Sequence, residues 1–486
     1  MAVNVLSTKL NLFNMRTRMP FKFGIATLTA LPHLFLQVEC EVDGVHAHGI
    51  AADGLVPKWF TKNPESSYTD DLREMFDVIR SACDLARTAG GMPSVFELWH
   101  QVYKAQMRWA ASKKYPPLLA NFGVSLIERA IIDAFCRATQ ATVSRAVREN
   151  LLGIELGRTR ASLAGFAPGD LLPVAPVRKI HLRHTIGMAD PLTEEEIPPG
   201  ELTNDGLPQW LGQNIDFYGL RFFKIKICGD AQKDFPRLEK IAEVIGKRTT
   251  DYAFTLDGNE QYHDVDAFRT FWEALKKKPS LSAFMSKLLF VEQPLHRSTA
   301  LEEKTAKDML AWHDRPATII DESDSDMQSL PDALAMGYSG TSHKNCKGII
   351  KGLANACEIA MRRKARPDRI YLLSAEDLCN IGPVALLQDL AVVSTLGLDH
   401  VERNGHHYFT GLSMFPGGMQ NDVLAHHGDL YRRHPRGFAT LNVENGAIKT
   451  GSVVDAPFGV GMKVDASEFI PLENYDVNSL TDLAAS

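Results

Sequence analysis

Three features are absent from this sequence or scarce in it, and each absence excludes a class of protein. No stretch reaches the roughly 18 consecutive apolar residues of a membrane-spanning helix, and residues 1–21 lack the apolar core of a signal peptide. The 53 lysines and arginines are outnumbered by 59 aspartates and glutamates, which leaves a formal net charge of −6 and no basic excess for a nucleic-acid backbone. We therefore expect no membrane and no nucleic acid as partners.

Cysteine is also scarce, and its pattern bears on location. The seven cysteines are odd in number and scattered, and no two of them form a C-x-x-C pair. This pattern argues against a disulfide framework and against a cysteine-ligated zinc site. A reducing cytoplasm is the expected compartment. What the chain does have is a 45% hydrophobic content, enough for a large core.

The two ends of the chain have different sequence patterns from the middle. Alternating segments at 34–42 and 45–54 are joined at Asp43-Gly44, which predicts a hairpin with a tight primed turn. Amphipathic helical patterns follow at 70–89 and 124–140. Residues 1–177 are thus predicted to form an α+β domain. Residues 411–486, rich in glycine and proline, are expected to pack back on that domain.

The middle of the chain, residues 178–410, alternates short apolar runs with helical patterns. Eight such runs occur, at 178–186, 221–227, 252–258, 288–294, 317–323, 340–345, 369–377 and 398–404. Continuous apolar strands that alternate with helices indicate a parallel sheet buried on both faces, and eight of them predict a closed barrel. The predicted fold class is therefore α/β, a TIM-type barrel.

Polar residues stand at the C-terminal ends of these predicted strands. They are Lys226, Asp257, Glu292, Asp321, Lys344 and Glu402. In a parallel barrel the C-terminal ends of all strands open on one face, the face that carries the active site. Residues spread over more than 170 positions are therefore expected to converge in one pocket.

Three of these residues are carboxylates on successive strands. Asp257, Glu292 and Asp321 are 35 and 29 residues apart, about one β-α unit each. Converging carboxylates repel one another and resist burial unless a cation is present. Ligands that are all oxygen favour Mg²⁺ or Mn²⁺ over Zn²⁺. The sequence therefore predicts a magnesium site, with manganese as an alternative.

Lysines flank the three carboxylates. Lys224 and Lys226 are two residues apart, so their side chains share one strand face, and Lys344 follows on the other side of the carboxylates. A neighbouring like charge disfavours an ammonium, so Lys224 is expected to lower the pKa of Lys226 and make it a base. A metal between two bases suits removal of the proton α to a carboxylate, because the metal stabilises the enolate.

The ordered set of motifs resembles the enolase superfamily, most closely the muconate-lactonising branch of its mandelate racemase/muconate lactonizing family. The motifs are K-x-K, LDGN, FVEQP, IIDES and a later strand-end lysine. This resemblance implies a modified (β/α)₇β barrel with an α+β capping domain. Substrate selection is expected from cap loops near 20–30 and 50–65 and from the eighth strand. The resemblance also implies symmetric homo-oligomers.

The same resemblance implies roles for single residues. Metal ligation would fall to Asp257, Glu292 and Asp321, and proton transfer to Lys226 and Lys344, with Lys224 beside them. Asn259 would lie near the metal, and Glu402 would assist the substrate or a lysine. The wording around Lys344 departs from the family pattern, which leaves Lys347 or His343 as alternative partners there. The seventh strand offers Glu376 and Asp377 but no histidine, which argues against the branch with a His-Asp dyad.

The predicted function is a Mg²⁺-dependent enzyme acting on a small-molecule carboxylate, as a racemase, epimerase, cycloisomerase or acid-sugar dehydratase. One alternative is a Schiff-base lyase with Lys226 as nucleophile. Another is a barrel that binds metal without turnover. The histidine pairs at 406–407 and 426–427 either reach the pocket mouth or lie in loops, and loops are favoured.

Overall fold

The computed structural model describes residues 1–23 and 26–480. Gly24 and Ile25, which belong to the first of the two predicted specificity loops, lie outside the described residues.

The strands of the described residues are these: β1 (Val3–Phe23), β2 (Ala26–Val42), β3 (Val45–Gly54), β4 (Lys179–Ile186), β5 (Phe222–Lys226), β6 (Ala253–Asp257), β7 (Leu288–Glu292), β8 (Thr318–Ile320), β9 (Gly340–His343), β10 (Leu372–Ala375), β11 (His400–Arg403), β12 (Tyr431–Arg433), β13 (Ala439–Leu441), β14 (Ala447–Lys449) and β15 (Ile470–Pro471).

The α-helices are these: α1 (Pro57–Thr61), α2 (Tyr68–Thr88), α3 (Val95–Lys113), α4 (Pro117–Thr139), α5 (Val143–Arg148), α6 (Leu156–Thr159), α7 (Pro168–Leu171), α8 (Leu211–Tyr218), α9 (Ala231–Gly246), α10 (Val265–Lys276), α11 (Ser282–Met285), α12 (Glu303–Ala311), α13 (Ser329–Ala335), α14 (Ile349–Ala365), α15 (Ala385–Leu396), α16 (Gly405–Tyr408), α17 (Gly417–His426) and α18 (Gly451–Asp455).

The N-terminal part, called the cap below, is an antiparallel sheet with helices packed on it. Its strand order is β15-β1-β2-β3, and the β2–β3 hairpin turns at Asp43 and Gly44, both with positive φ, as a primed turn requires. Helix α4 crosses the sheet and is buried along almost its whole length. It approaches β3 so closely that a Cβ on Gly49 would lie 2.0 Å from the Ala130 carbonyl oxygen. The close approach explains the glycine.

The middle of the described chain forms the barrel. Its eight strands are all parallel, in the order β10-β9-β8-β7-β6-β5-β4-β11, and a parallel bridge between Glu376 and Glu402 closes the circle. At least one helix lies between each strand from β4 to β10 and the next, and β11 completes the ring. The predicted (β/α)₇β barrel with an α+β cap is therefore confirmed.

The residues after 410 contact both parts. Strand β14 pairs antiparallel with β4 of the barrel, and β15 pairs antiparallel with β1 of the cap. The Tyr475 hydroxyl donates to Asn14 Oδ1 over 2.6 Å. In the described ranges, no helix is both long and apolar enough to cross a bilayer.

Candidate active site

The strand-end residues predicted from the sequence meet at one end of the barrel. They are Lys226 on β5, Asp257 on β6, Glu292 on β7, Asp321 after β8, Lys344 after β9 and Glu402 on β11. All six side chains are buried, and Lys226 is the most exposed of them at 7%. Parallel strands direct their C-terminal ends to the same face, so the barrel gathers these residues without any local sequence contact.

Lys224 lies at the centre of the acidic residues. Its Nζ is 3.0 Å from Asp257, 2.9 Å from Glu292, 2.6 Å from Glu376 and 3.8 Å from Glu402. Burial disfavours its ammonium form, but these carboxylates outweigh burial and raise the pKa of Lys224 well above its usual value. Lys224 is therefore a fixed positive charge that holds four acidic side chains together.

The other two predicted lysines lie on opposite sides of this cluster. Lys226 Nζ is 2.5 Å from Asp257 Oδ2, whereas Lys344 Nζ is 2.7 Å from both Asp321 Oδ2 and Glu376 Oε2. Lys344 also lies over the Trp59 ring, 4.9 Å from its centre. Burial opposes the charge of Lys344, but Asp321 and Glu376 outweigh it and raise the pKa of Lys344 above its usual value.

The two alternatives to Lys344 occupy different places. Lys347 Nζ is 2.7 Å from Asp321 Oδ1 and donates to the Asp321 carbonyl over 2.9 Å, but it does not line the pocket. His343 Nε2 is 3.0 Å from Asn345 Oδ1. Among Lys344, Lys347 and His343, only Lys344 lines the pocket as the structure describes it. Lys347 instead holds Asp321 in place from the side away from the pocket.

The closest group of carboxylates differs from the predicted one in one member. Within the described residues, carboxylate oxygens of Glu292, Asp321 and Glu376 all lie within 4.8 Å of one another. Asp257 stands outside this group, where its Oδ2 accepts from Lys226 and lies 3.0 Å from Lys224. Burial raises the pKa of Asp257, but Lys224 and Lys226 outweigh it and lower that pKa overall. Glu376 is thus a further candidate ligand, at the end of β10.

The site has more negative than positive charge. Its described residues include six carboxyl groups, those of Asp257, Glu292, Asp321, Glu322, Glu376 and Glu402, against the four lysines 224, 226, 344 and 347. Fully ionised, this set has an excess of two negative charges. Burial, reinforced by the charges of Glu376 and Asp257, raises the pKa of Glu292 well above its usual value despite Lys224. Burial with Asp321 raises the pKa of Glu322 to about 8.

Several buried oxygens of this set lack a partner. Glu292 Oε2, Glu322 Oε2, Glu376 Oε1 and Asn259 Oδ1 accept no hydrogen bond from any described residue. Buried polar atoms left unpaired cost free energy, and a cation would satisfy them. Oxygen donors and an excess of two negative charges match a hard divalent ion, so the residues present fit Mg²⁺ or Mn²⁺.

The two residues predicted to contact substrate both line the pocket. Asn259 has a left-handed backbone, with φ of 43°, and its backbone N–H donates to Asp257 Oδ1 over 2.9 Å. Glu402 Oε1 accepts from the Thr185 hydroxyl and from Asn404 Nδ2, the latter over 2.8 Å. Burial raises the pKa of Glu402, against the opposing effect of Lys224.

The cap supplies the other wall of the pocket. Its described contributions are apolar: Phe21, Leu28, Val56 and Trp59. Leu378 and Cys379, from the loop after β10, continue this apolar surface. The pocket therefore combines a charged floor built by the barrel with an apolar wall built by the cap.

The histidine pairs do not line this pocket. His406 and His407 lie in the short helix α16 and pack against His184, whose Nδ1 is 3.1 Å from His406 Nε2. His426 is exposed at the end of α17, and His427 is buried and accepts from the Gly461 N–H over 3.1 Å. The preference for loop positions was wrong for His406, His407 and His426, which are helical, whereas His427 follows the end of α17.

No family model and no curated protein matches the chain. Solved structures do match it over nearly its whole length. A mandelate racemase/muconate lactonizing protein from Herpetosiphon aurantiacus has a TM-score of 0.58 at 15% identity, covering 95% of this chain and 99% of that one. A muconate lactonizing enzyme from Pseudomonas fluorescens complexed with muconolactone has a TM-score of 0.59 at 15% identity, covering 97% and 100%. The chain has the enolase-superfamily fold.

An enolase from Bradyrhizobium complexed with magnesium and mandelic acid is similar too, with a TM-score of 0.52 at 13% identity, covering 93% of this chain and 98% of that one. At identities this low, the similarity is evidence for the fold alone. At that level the resemblance to the enolase superfamily predicted from the motifs is confirmed.

Several residues of the site were not predicted from the sequence as site residues. Glu376 stands at the end of the predicted strand 369–377, as the other acidic residues do at theirs, but it was not predicted as a ligand. Glu322 directly follows Asp321, and its proximity to the site could have been inferred from that position alone. The four apolar cap residues gave no such signal, because no local sequence pattern around them predicts contact with the barrel.

Proposed function

We propose that this protein is an enzyme that removes the proton α to the carboxylate of a small molecule, with Mg²⁺ or Mn²⁺ bound among the acidic side chains. One observation carries the proposal: two buried lysines, Lys226 and Lys344, flank a carboxylate cluster with unpaired oxygens at the catalytic end of a barrel. Racemisation, epimerisation and cycloisomerisation are the reaction types that two opposed lysines serve best.

The metal would be held by Glu292 and Asp321 together with Glu376 or Asp257. When bound, it supplies a Lewis acid for the charge that develops on the substrate carboxylate. Lys224 keeps these carboxylates close to one another by its own charge. Burial of these side chains strengthens each of these electrostatic interactions, because the surroundings are less polar than water.

The two flanking lysines differ in their carboxylate contacts. Lys344 has two carboxylate partners, Asp321 and Glu376, and its raised pKa keeps it an ammonium, which suits a proton donor. Lys226 has one carboxylate within 4 Å among the described residues, Asp257, where Lys344 has two. We assign Lys226 as the base that takes the α-proton and Lys344 as the acid on the opposite face.

The apolar wall narrows the substrate class. A polyhydroxylated acid would bury its hydroxyl groups against Phe21, Leu28 and Val56, whose side chains form no hydrogen bonds, and Trp59 offers a single donor, its indole N–H. An acid with a compact apolar group would bury that group against the wall, and burial of apolar surface lowers the free energy of binding. The wall therefore favours apolar carboxylic acids over acid sugars, and with them isomerisation over sugar dehydration.

The comparisons support this proposal by analogy. One similar structure is complexed with magnesium and mandelic acid, and another with muconolactone. A reducing cytoplasm and a homo-oligomeric state complete the proposal. All seven cysteines are free thiols in the structure, as a reducing compartment would require.

The proposal is tested by hydrogen exchange in D₂O. Carboxylic acids are incubated with the protein and Mg²⁺, in pairs that differ by an apolar group or a polyhydroxylated chain, and deuterium at the α-carbon is measured by mass spectrometry. We expect exchange that requires Mg²⁺, is lost in EDTA and favours the apolar member of each pair. Lys226→Ala is the matched inactive control.

Two results would support the alternatives instead. Activity that persists in EDTA, with an adduct on Lys226 trapped by borohydride, would indicate a Schiff-base lyase. A rise in melting temperature with Mg²⁺ but no exchange for any acid would indicate a barrel that binds metal without turnover.

A further inference from the structure

A short piece of the cap forms part of the pocket wall. Helix α1 has five residues and carries Trp59, which lies against Lys344 at the pocket wall. Trp59 and Phe60 are both buried. A helix of this length is not stable by its own hydrogen bonds. Contacts with the rest of the molecule must therefore hold it in place.

The first of these contacts comes from Arg297, which lies in the loop after β7. Its Nη1 donates to the Phe60 carbonyl over 2.9 Å, and its Nη2 donates to the Trp59 carbonyl over 3.0 Å. Carbonyl groups in the last turn of a helix have no partner within the helix. The guanidinium of a barrel residue thus caps the C-terminal end of α1.

The second contact comes from Lys62, directly after α1. Lys62 has a left-handed backbone, with φ of 45°, and its Nζ donates to Glu260 Oε2 over 2.8 Å and to the Asn259 carbonyl over 3.1 Å. Both acceptors lie in the barrel loop that follows β6. The cap is thereby joined to the loop that also carries Asn259 of the active site.

Glu260 connects the two contacts. Its Oε1 accepts from Arg297 Nε over 2.7 Å and from the Arg297 backbone N–H over 2.9 Å, and its Oε2 accepts from Arg297 Nη2 over 2.9 Å. Glu260 is almost fully buried. Charge-assisted, bidentate hydrogen bonds of this kind are the strong ones, and breaking them leaves a buried charge unpaired.

We propose that Lys62, Glu260 and Arg297 form a latch that holds α1 closed over the pocket, and that release of this latch admits and discharges the ligand. The contacts of the latch join Lys62 and the α1 carbonyl groups, in the cap, to Glu260, Asn259 and Arg297, in the barrel. The three latch residues do not line the pocket, so they act as positioning residues. The latch does not depend on which reaction the site performs.

Cys379 provides a reporter for the test, because it lines the pocket and is 3% exposed. Each variant is treated with N-ethylmaleimide, and labelling of the Cys379 peptide is followed by mass spectrometry. Lys62→Met and Arg297→Met are expected to raise its labelling rate about tenfold or more, because a broken latch increases the open population. Glu260→Gln keeps the side-chain size and is expected to act in the same direction.

Two controls separate opening of α1 from general loosening. Lys58 also belongs to α1, but it pairs with Asp71 over 2.7 Å and donates to Asn63 and Ser66, all within the cap. Lys58→Met is therefore expected to label at the wild-type rate. Cys346 is equally buried but does not line the pocket, and its labelling rate is expected to stay unchanged in every variant.

Three outcomes would overturn the latch. The first is wild-type labelling of Cys379 in all three latch variants. The second is labelling of Cys346 that rises in step with Cys379, which would mean that the fold loosens as a whole. The third is a Lys58→Met variant that opens the pocket as much as Lys62→Met does, which would mean that contacts inside the cap hold α1.

Discussion

The two sides of the pocket are built on opposite principles. The floor consists of charged side chains at the ends of barrel strands, each held by oppositely charged neighbours, whereas the described wall consists of apolar side chains on cap segments. Strand ends fix a side chain to within a fraction of an ångström, while loops vary and move more easily. The difference assigns chemistry to the floor and selection of the substrate to the wall.

The largest effect is expected from the flanking lysines of the floor. Lys226→Ala and Lys344→Ala should each reduce deuterium exchange about 10³- to 10⁴-fold, since each removes a general acid or base. Mg²⁺ affinity, measured by titration calorimetry, should remain within a few-fold of the wild type. Deuterium exchange that survives either substitution would contradict the assignment of the chemistry to the floor.

A substitution at the centre of the floor tests its stability. Lys224→Met leaves Asp257, Glu292 and Glu376 without their shared partner, and removal of one member of a buried ion cluster costs about 3 to 5 kcal/mol. The free energy of unfolding in EDTA, from urea denaturation, should fall by this amount, and Mg²⁺ should restore part of it. Lys226→Met, at the edge of the cluster, is the matched control with a smaller loss. Equal losses in the two variants would contradict a central role for Lys224.

The third prediction decides between two ligand sets in the floor. The sequence gives Asp257 as a ligand, whereas the structure groups Glu376 with Glu292 and Asp321. Glu376→Gln should weaken Mg²⁺ about 100-fold, the upper end of the loss seen when even indirect partners of a metal are removed. Asp257→Asn is the paired variant, compared with it by titration calorimetry. A loss of Mg²⁺ affinity in Asp257→Asn alone would support the ligand set predicted from the sequence.

The smallest effect is expected in the apolar core of the cap, at His33. This ring is fully buried among Phe13, Phe35 and Phe415, and neither of its nitrogens has a partner among the described residues. Burial lowers the pKa of His33 from 6.5 to about 3. The unfolded chain therefore binds the proton first as the pH falls, so this group makes the fold less stable between pH 6.5 and pH 3.

His33→Phe should remove that dependence. Between pH 6.5 and pH 5 the wild type should lose about 1.6 kcal/mol more unfolding free energy than the variant, a difference that follows from the shifted pKa. Urea denaturation at the two pH values measures it, and carboxylates that titrate in both proteins cancel in the comparison. Parallel losses would show that His33 is not buried as a neutral ring.

The sequence predicted the floor well because its signals are local. Each strand of the barrel is a short apolar run that ends in a polar residue, and β5, predicted at 221–227, is found at Phe222–Lys226. The barrel then brings distant strand ends together by its closure alone. Glu376 has the same local signal, but the sequence does not distinguish it from its neighbour Asp377 as the side chain that faces the cluster.

The wall and its latch could not be predicted in this way. Trp59 lies far from Lys344 in the chain, and Lys62 is 198 residues from its partner Glu260. Neither pair shares a period, a turn or a strand end, so no short-range pattern records the contact. Only the docking of the cap on the barrel creates them.

The residues after 410 tie the two parts of the protein together. They pair with the barrel through β14 and with the cap through β15, and the connection between these strands carries the fully buried side chains of Val453, Phe458 and Val460. Truncation of the chain before β14 would therefore take a partner from β4 of the barrel and from β1 of the cap at once, although it removes no strand-end side chain of the site.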